Sequence, residues 1–194
     1  EEQIEKAPQL TVDDFLKRVP GISFSREHVA ECGPGRDITL LGIHDQKRTL
    51  ILVDGIPVND GINGAVNWSM VPVESVERIE LVLGPMSALY GSGAMGGVVN
   101  IVTKKPQGAN ETFIEAGYGS LNTYTATLLQ GGMFGKGGYL VGGNLYKTDG
   151  YVQAIDDAEY FTKNGRTDMG LLGHIWVFPD PYSSLSLRIN LVNE

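Results

Sequence analysis

The chain has 194 residues, a formal net charge of −8, 26 glycines and a single cysteine, Cys32. Its length suits one or two domains, and its glycine content favours turn-rich β structure over a helical bundle. Residues 1–106 carry 10 basic and 14 acidic side chains and residues 107–194 carry 5 and 9, which leaves no basic face for nucleic acid, while one cysteine excludes an intramolecular disulfide and a thiolate metal cluster.

The chain opens EEQIEKAPQL, with neither an initiator Met nor the basic and apolar regions of a secretory signal, so an export signal is expected to have been removed or to lie outside this numbering. Thr11 is the predicted N-cap of a helix over VDDFLKRV. Asp13 and Asp14 fall in its first turn, Lys17 and Arg18 in its last, and Pro20-Gly21 stops it. Short strands are predicted near residues 22–25, 38–41, 49–53, 76–83 and 98–103, with a turn of helix over Pro72–Ser75 before the fourth. These elements make a small α+β domain, 1–106, which ends at the punctuation Lys104-Lys105-Pro106-Gln107-Gly108.

Within this domain, GPMSALYGSGAMGGVVNIVTKK (84–105) places five glycines in fourteen residues directly ahead of a β-branched run. Glycine is needed where φ is positive or where another backbone passes close by, and Val98, Val99, Ile101 and Val102 have the composition of a buried strand. The stretch 91–96 also satisfies G-x-G-x-x-G, with Glu115 about twenty residues on. A nucleotide-binding turn, however, comes straight off a strand and opens a helix. Here residues 85–90 intervene after the strand ending near Leu83, and a strand follows Gly97, so the nucleotide reading is set aside.

From residue 107 onward the pattern changes. Residues 123–128 and 185–192 alternate polar and apolar; Leu185, Leu187, Ile189 and Leu191 share one face, and Ser186, Arg188, Asn190 and Val192 the other. That is the dyad of an antiparallel strand with one apolar and one wet face. Residues 111–118, 139–146 and 170–178 are further candidates, although both faces of the last are largely apolar. Taken alone, alternation fits a soluble sandwich equally well. The links at 120–122 and 134–138 are short and the one from Lys147 to Asp168 is long. No apolar run reaches the twenty or so residues of a spanning helix, so any membrane crossing is by strands. His28, His44 and His174 lack metal-ligand spacing, and no H-E-x-x-H, G-x-S-x-G or P-loop pattern is present, so no residues are found to carry an enzymatic reaction.

The glycine-rich run and three segments ahead of it, TVDDFLKRVPGISF (11–24), RTLILVDGIPVND (48–60) and PVESVERIELVLGP (72–85), resemble, in order, the plug domain of TonB-dependent outer-membrane receptors. The nearest branch is that of cobalamin, catecholate-siderophore and colicin receptors. The resemblance implies an α+β plug domain followed by antiparallel transmembrane β-barrel strands, the barrel incomplete at five strands where the family has about twenty-two. On this reading 107–194 are the N-terminal barrel strands, and several hundred further residues are expected.

The resemblance also implies energy-dependent uptake of a scarce chelate such as a ferric siderophore or cobalamin. Its expected partners are the lipid bilayer, the TonB complex of the inner membrane, the chelate itself, and bacteriocins or phage. The TonB-binding segment is not evident in residues 1–10. A non-transporting β-rich binding or adhesion module with a plug-like domain stands as the alternative. Ligand contacts are expected from two irregular apical stretches, 25–36 and 59–68, through Arg26, Arg36, Asn59, Asn63, Asn67 and Trp68. The arginines suit an anionic chelate and Trp68 a stacking contact, against the plainer expectation that Trp68 anchors its segment on the plug core. Asp149, Asp156, Asp157, Glu159 and Asp168 in the long loop, expected to be extracellular, offer oxygen ligands for a structural Ca²⁺, as in cobalamin receptors of the family, although no ligand spacing is visible and a solvated acidic loop is the favoured reading. Family members also carry Arg before the Gly of the second strand and before Gly-Pro, where this chain has Leu41-Gly42 and Leu83-Gly84. Those arginines meet wall carboxylates, so the paired loss implies a matching loss of the wall Glu pair.

Overall fold

The computed structural model describes residues 12–17, 19–25, 37–43, 45–106, 108, 110–150, 152–155, 160–163, 165–180 and 182–193. The chain divides into two compact units, one of Glu1–Glu27, Pro34–Trp68 and Val76–Thr103, the other of His28–Gly33, Ser69–Ser75 and Lys104–Glu194.

The first unit begins with α1 (Asp13–Leu16), a single turn shorter than predicted; Val12 precedes it without a side-chain cap, and Thr11 and Arg18 lie outside the described residues. Val12, Asp13 and Leu16 are buried, and Lys17 pairs with Asp14. β1 (Ile22–Ser25) and β2 (Asp37–Leu40) form an antiparallel ladder. β3 (Thr49–Val53), β4 (Ile56–Pro57), β5 (Val76–Leu83) and β6 (Gly97–Thr103) make a sheet of order β4-β3-β6-β5, in which only β3 and β6 run parallel. Every residue of β3 is buried, as its unbroken apolar run and central, parallel position require. Leu50, Leu52, Ala94 and Val98 pack together, with Met86 against them. β5 is an edge strand, and its exposed Glu77, Arg78 and Glu80 guard that edge against pairing with another chain.

The glycine-rich run is a folded-back excursion between β5 and β6. It contains α2 (Ser87–Tyr90), a turn of helix the sequence reading did not anticipate, and a 3₁₀ turn at Ser92–Ala94. The Gly84 N–H donates to the Gly96 carbonyl at 3.1 Å, Met86 N–H to Ala94 at 2.8 Å and Gly96 N–H to Arg48 at 2.8 Å. The element that follows is a strand, not a helix, which disposes of a phosphate cradle.

The second unit contains β7 (Glu111–Gly119), β8 (Thr123–Phe134), β9 (Gly137–Thr148), β10 (Val152–Ile155), β11 (Tyr160–Lys163), β12 (Arg166–Asp180) and β13 (Ser183–Asn193). Five of these form one antiparallel sheet of order β13-β12-β9-β8-β7, and β10 pairs with β11 inside the long connection. All five predicted strands are present, and β8, β9 and β12 run several residues further. The extensions of β8 and β9 include Gly131-Gly132 and Gly137-Gly138, which have no side chains to display a period. Gly138 makes room for the Trp176 indole, whose ring carbon would lie 2.5 Å from an added Cβ.

The structure also resolves the two apolar faces of β12. Leu172 and Trp176 cluster with Leu129 of β8 and Leu140 of β9 on one face of the sheet, while Met169, Leu171 and Ile175 stand exposed on the other. Leu185, Leu187, Ile189 and Leu191 of β13 are exposed as well. Tyr118 and Tyr124 are in ring contact at one end of the sheet, and Phe134 and Tyr139 near the other. Phe134 lies ten residues along β8 from Tyr124; at about 3.3 Å per residue and the tilt of about 40° usual for a barrel wall, that corresponds to about 25 Å, the height of the apolar band between the aromatic girdles of an outer-membrane wall. Antiparallel alternation puts the 120–122 turn at the same end as the long 149–165 connection, and the 135–136 and 181–182 turns at the opposite end. The two short links of the sequence reading therefore lie at opposite ends of the sheet. No described helix is long and apolar enough to cross a membrane, which has no bearing on crossing by strands.

Candidate functional site

The stretch from 58 to 68, leaving the short strand β4, is the better described of the two predicted apical segments. Arg26 and Arg36, from the other, lie outside the described residues. Asn59 turns inward: its Oδ1 accepts the Ile51 N–H at 2.8 Å, and its Nδ2 donates to the carbonyls of Thr49 at 3.0 Å and Gly64 at 2.9 Å. This amide ties the loop to β3, a positioning role in place of the expected ligand contact. Asn59→Ala leaves one buried-side donor and two acceptors unmatched, and is expected to cost about 2–3 kcal/mol. Asn59→Asp faces two carbonyls with a carboxylate and is expected to cost at least as much; thermal unfolding of the two variants checks both.

Asp60 closes the next turn. Its Oδ1 accepts the N–H groups of Ile62 at 2.9 Å and Asn63 at 3.0 Å, while its own N–H donates to the Ala65 carbonyl at 2.8 Å. The hydrogen bond from Asn63 N–H, and then that from Ile62, hold the carboxyl below its usual 3.8. A carboxyl with a lowered native value stabilises the loop fully above the unfolded value and loses that contribution as pH falls through the native one. Exchange at the Ile62 and Asn63 amides is therefore expected to be independent of this group at neutral pH and to rise only below about pH 3.8.

The remaining predicted residues divide. Asn63 is exposed, and its Oδ1 accepts the Ala65 N–H at 2.8 Å. Asn67 is half-buried. Trp68 is only 3% exposed, so its ring offers no stacking face, and the anchoring reading is the one the burial favours. The most prominent side chain on the loop is one the sequence reading passed over: Ile62, 84% exposed at the tip between Gly61 and Asn63. Its signal was available as a lone apolar residue in an Asn/Asp/Gly-rich turn. The arrangement is a loop whose backbone is fixed by side-chain amides and a carboxylate, presenting Ile62 and Asn63 outward with little left to order on contact.

Leu41 and Leu83, at the positions of the expected arginines, approach each other in space. Leu41 takes φ 54° and is 53% exposed, and Leu83 is 40% exposed. Their methyl groups lie 3.5 and 3.6 Å from where a Cβ on Gly21 would stand.

In the second unit, Asp149 Oδ2 accepts from Asn122 Nδ2 at 2.8 Å, and buried Asp168 pairs with Arg166. Asp156, Asp157 and Glu159 lie outside the described residues. Among the described residues, no group of three or more His, Cys, Asp or Glu side chains is placed to hold a metal ion, so Asp149 and Asp168 do not form a calcium site by themselves. The same face of the wall carries His174, in ring contact with Trp176 at 5.1 Å, and Arg188, paired with His174 across β12 and β13.

Comparison with known proteins bears on both units. The family model for the TonB-dependent receptor plug domain matches residues 1–98. The vitamin B12 transporter BtuB of Vibrio cholerae serotype O1 is 30% identical over 190 residues, covering 94% of this chain and 30% of that protein. The probable TonB-dependent siderophore receptor PirA of Acinetobacter baumannii is 39% identical over 139 residues, covering 64% of this chain and 17% of that protein. The crystal structure of a siderophore receptor PirA from Acinetobacter baumannii superposes with a TM-score of 0.72 at 27% identity, over 98% of this chain and 30% of that one. The chain thus spans about 30% of the length of BtuB and of the PirA crystal structure.

Proposed function

The chain belongs to the TonB-dependent receptors, its first half matching their plug domain, and from that premise we propose that it is the plug and first wall strands of an outer-membrane receptor for TonB-coupled uptake of a scarce chelate. The ligand is a ferric siderophore or cobalamin, the classes bound by the relatives named above. The observation that carries the reading is the succession, in one chain, of a compact sheet unit and an antiparallel wall with one exposed apolar face between aromatic pairs. A wall of that kind is at home only in lipid, and an open five-stranded sheet there must be completed by further strands. The plug obstructs the completed barrel, and the inner-membrane TonB complex supplies the energy to rearrange it.

The loop at 59–65 is the proposed ligand-facing surface of the plug, with Ile62 and Asn63 making contact and Asn59 and Asp60 holding them in place. Arg26, Arg36 and Asn67 remain proposed contacts; Trp68 is assigned to support. Bacteriocins or phage would approach the wall's outer loops. For the acidic 149–168 stretch the proposal is a solvated outer loop, since Asp149 and Asp168 already have partners; slowed hydrogen exchange there on adding Ca²⁺ would reverse that choice. The apolar pair Leu41 and Leu83 calls for wall residues without the family's Glu pair, and a full-length sequence holding both Glu residues would contradict this. The uptake reading is tested by growth rescue of a receptor-deficient strain by the full-length protein on a panel of ferric siderophores, haem and cobalamin. Rescue on a siderophore or cobalamin is expected, and no rescue on any of them would overturn it.

A further inference from the structure

Residues Ser69–Ser75 pack with the second unit, although the chain on both sides of them, Pro34–Trp68 and Val76–Thr103, packs with the first. Their seat on β12 accounts for this. A Cβ built on Gly170 would lie 2.0 Å from the Ser69 carbonyl oxygen and 3.0 Å from its carbon. It would also lie 2.4 Å from Oδ1 of Asn144, the residue paired with Gly170 on β9. Only a residue without a side chain lets a backbone rest this closely on a strand. Ser69, Val71, Pro72 and Ser75 are all buried. The segment is also closed on itself, since Ser75 donates its N–H at 2.9 Å and its hydroxyl at 2.6 Å to the Pro72 carbonyl. The Ser75 carbonyl in turn accepts the N–H of Lys104 at 2.7 Å, the residue at which the chain re-enters the second unit.

We propose that residues 69–75 are a strap anchored to the wall: when the first unit opens, the strap keeps its seat at Gly170, and the chain bends at the Trp68/Ser69 and Ser75/Val76 junctions. The physical reason is that the seat on Gly170 and the Ser75–Pro72 closure involve no residue of the β4-β3-β6-β5 sheet, so disrupting that sheet removes neither, and only the Ser75–Lys104 bond continues the β5–β6 ladder. Elements of one protein open in separate cooperative steps when their contacts are separate in this way. The first unit is then held to the wall in mid-chain, and its opening is a rearrangement around a fixed point and not an expulsion. The inference rests on the plug-and-wall reading above, and Gly170 acts in it as a positioning residue.

The test is hydrogen exchange of the full-length protein in detergent micelles across a urea series. Amides of 69–75 are expected to keep their protection, together with 166–180, at urea concentrations where 49–53 and 97–103 have lost theirs. Loss of protection in 69–75 in step with 49–53 and 97–103 would overturn the proposal. Gly170→Val is expected to strip protection from 69–75 without urea while leaving 49–53 protected. Should that variant fail to fold, Ser75→Ala, which removes one bond inside the strap and leaves the wall intact, is expected to speed exchange in 69–75 alone. Unchanged exchange in 69–75 in whichever variant folds overturns it. Because the readout is exchange, failure of the strap is distinct from failure of the uptake reading, which would show in growth rescue with exchange unaltered.

Discussion

Gly97→Ala is expected to destabilise the first unit by about 3–5 kcal/mol, a large fraction of a domain's total stability. Gly97 opens β6 at φ +147°, a conformation essentially confined to glycine. A Cβ there would stand 2.3 Å from the carbonyl oxygen of Val82 and 2.7 Å from Leu40 Cδ1. The first of these is backbone, so it cannot swing aside as a side chain would. Relief requires spreading β5 from β6 where Leu83 pairs with Gly97, and Leu40, itself fully buried, must shift as well. In the full-length protein the change should appear as a lower urea midpoint for exchange at β3, β5 and β6, with the wall strands unaffected. A shift worth less than about 1 kcal/mol would mean that the close approach is not what fixes glycine at this position.

Asp54→Ala is the second large effect, at about 2–4 kcal/mol, because it removes a turn former and a strand clasp together. Asp54 (φ 48°) and Gly55 (φ 81°) form the two-residue turn between β3 and β4, the Asp-Gly sequence such turns favour. The Asp54 N–H donates to the Ile101 carbonyl at 2.8 Å. Its carboxylate accepts the backbone N–H of Thr103 at 2.8 Å and the Thr103 hydroxyl at 2.6 Å, and Thr103 is fully buried. With alanine, the Thr103 N–H and hydroxyl lose a charged acceptor, and the backbone is held in a left-handed conformation that a Cβ disfavours. Asp54→Asn tolerates the conformation and keeps one oxygen for Thr103, so it should cost less than half as much as alanine. Asp54→Gly relieves the backbone but loses the clasp, and should fall between the two. The order Asn, Gly, Ala in rising cost, read from the same exchange midpoints, separates the two contributions; equal costs for all three would contradict the assignment.

Much of the fold was legible in the sequence because its strands carry their environment in their composition. The unbroken run at 49–53 is buried along its whole length, and the alternation of 185–192 gives an exposed apolar row on β13. The strand ends were less legible, since glycines at 131, 132, 137 and 138 extend β8 and β9 without contributing to any period. The hairpin of β10 and β11 was missed inside a connection read as a loop, and α2 inside a run read as glycine-rich turn; both are four-residue elements held by context. For the proposed ligand-facing loop, sequence supplies the residue types and the structure adds which of them the chain itself uses. Asn59 is offered by its residue type as a ligand contact yet is spent on three backbone hydrogen bonds, while Trp68 is buried in line with the plainer expectation that it anchors its segment. Sequence shows which groups can hydrogen-bond or stack; whether the partner is a ligand or the chain itself depends on three-dimensional placement. The seat of Ser69 on Gly170 is a long-range approach with no local signature, and only the structure discloses it.

The proposed dependence of plug opening on TonB is decided by uptake of the rescuing siderophore or cobalamin by the full-length protein in paired cells with and without a functional TonB. Accumulation is expected in the first and none above background in the second, and equal accumulation in both would overturn TonB-driven gating.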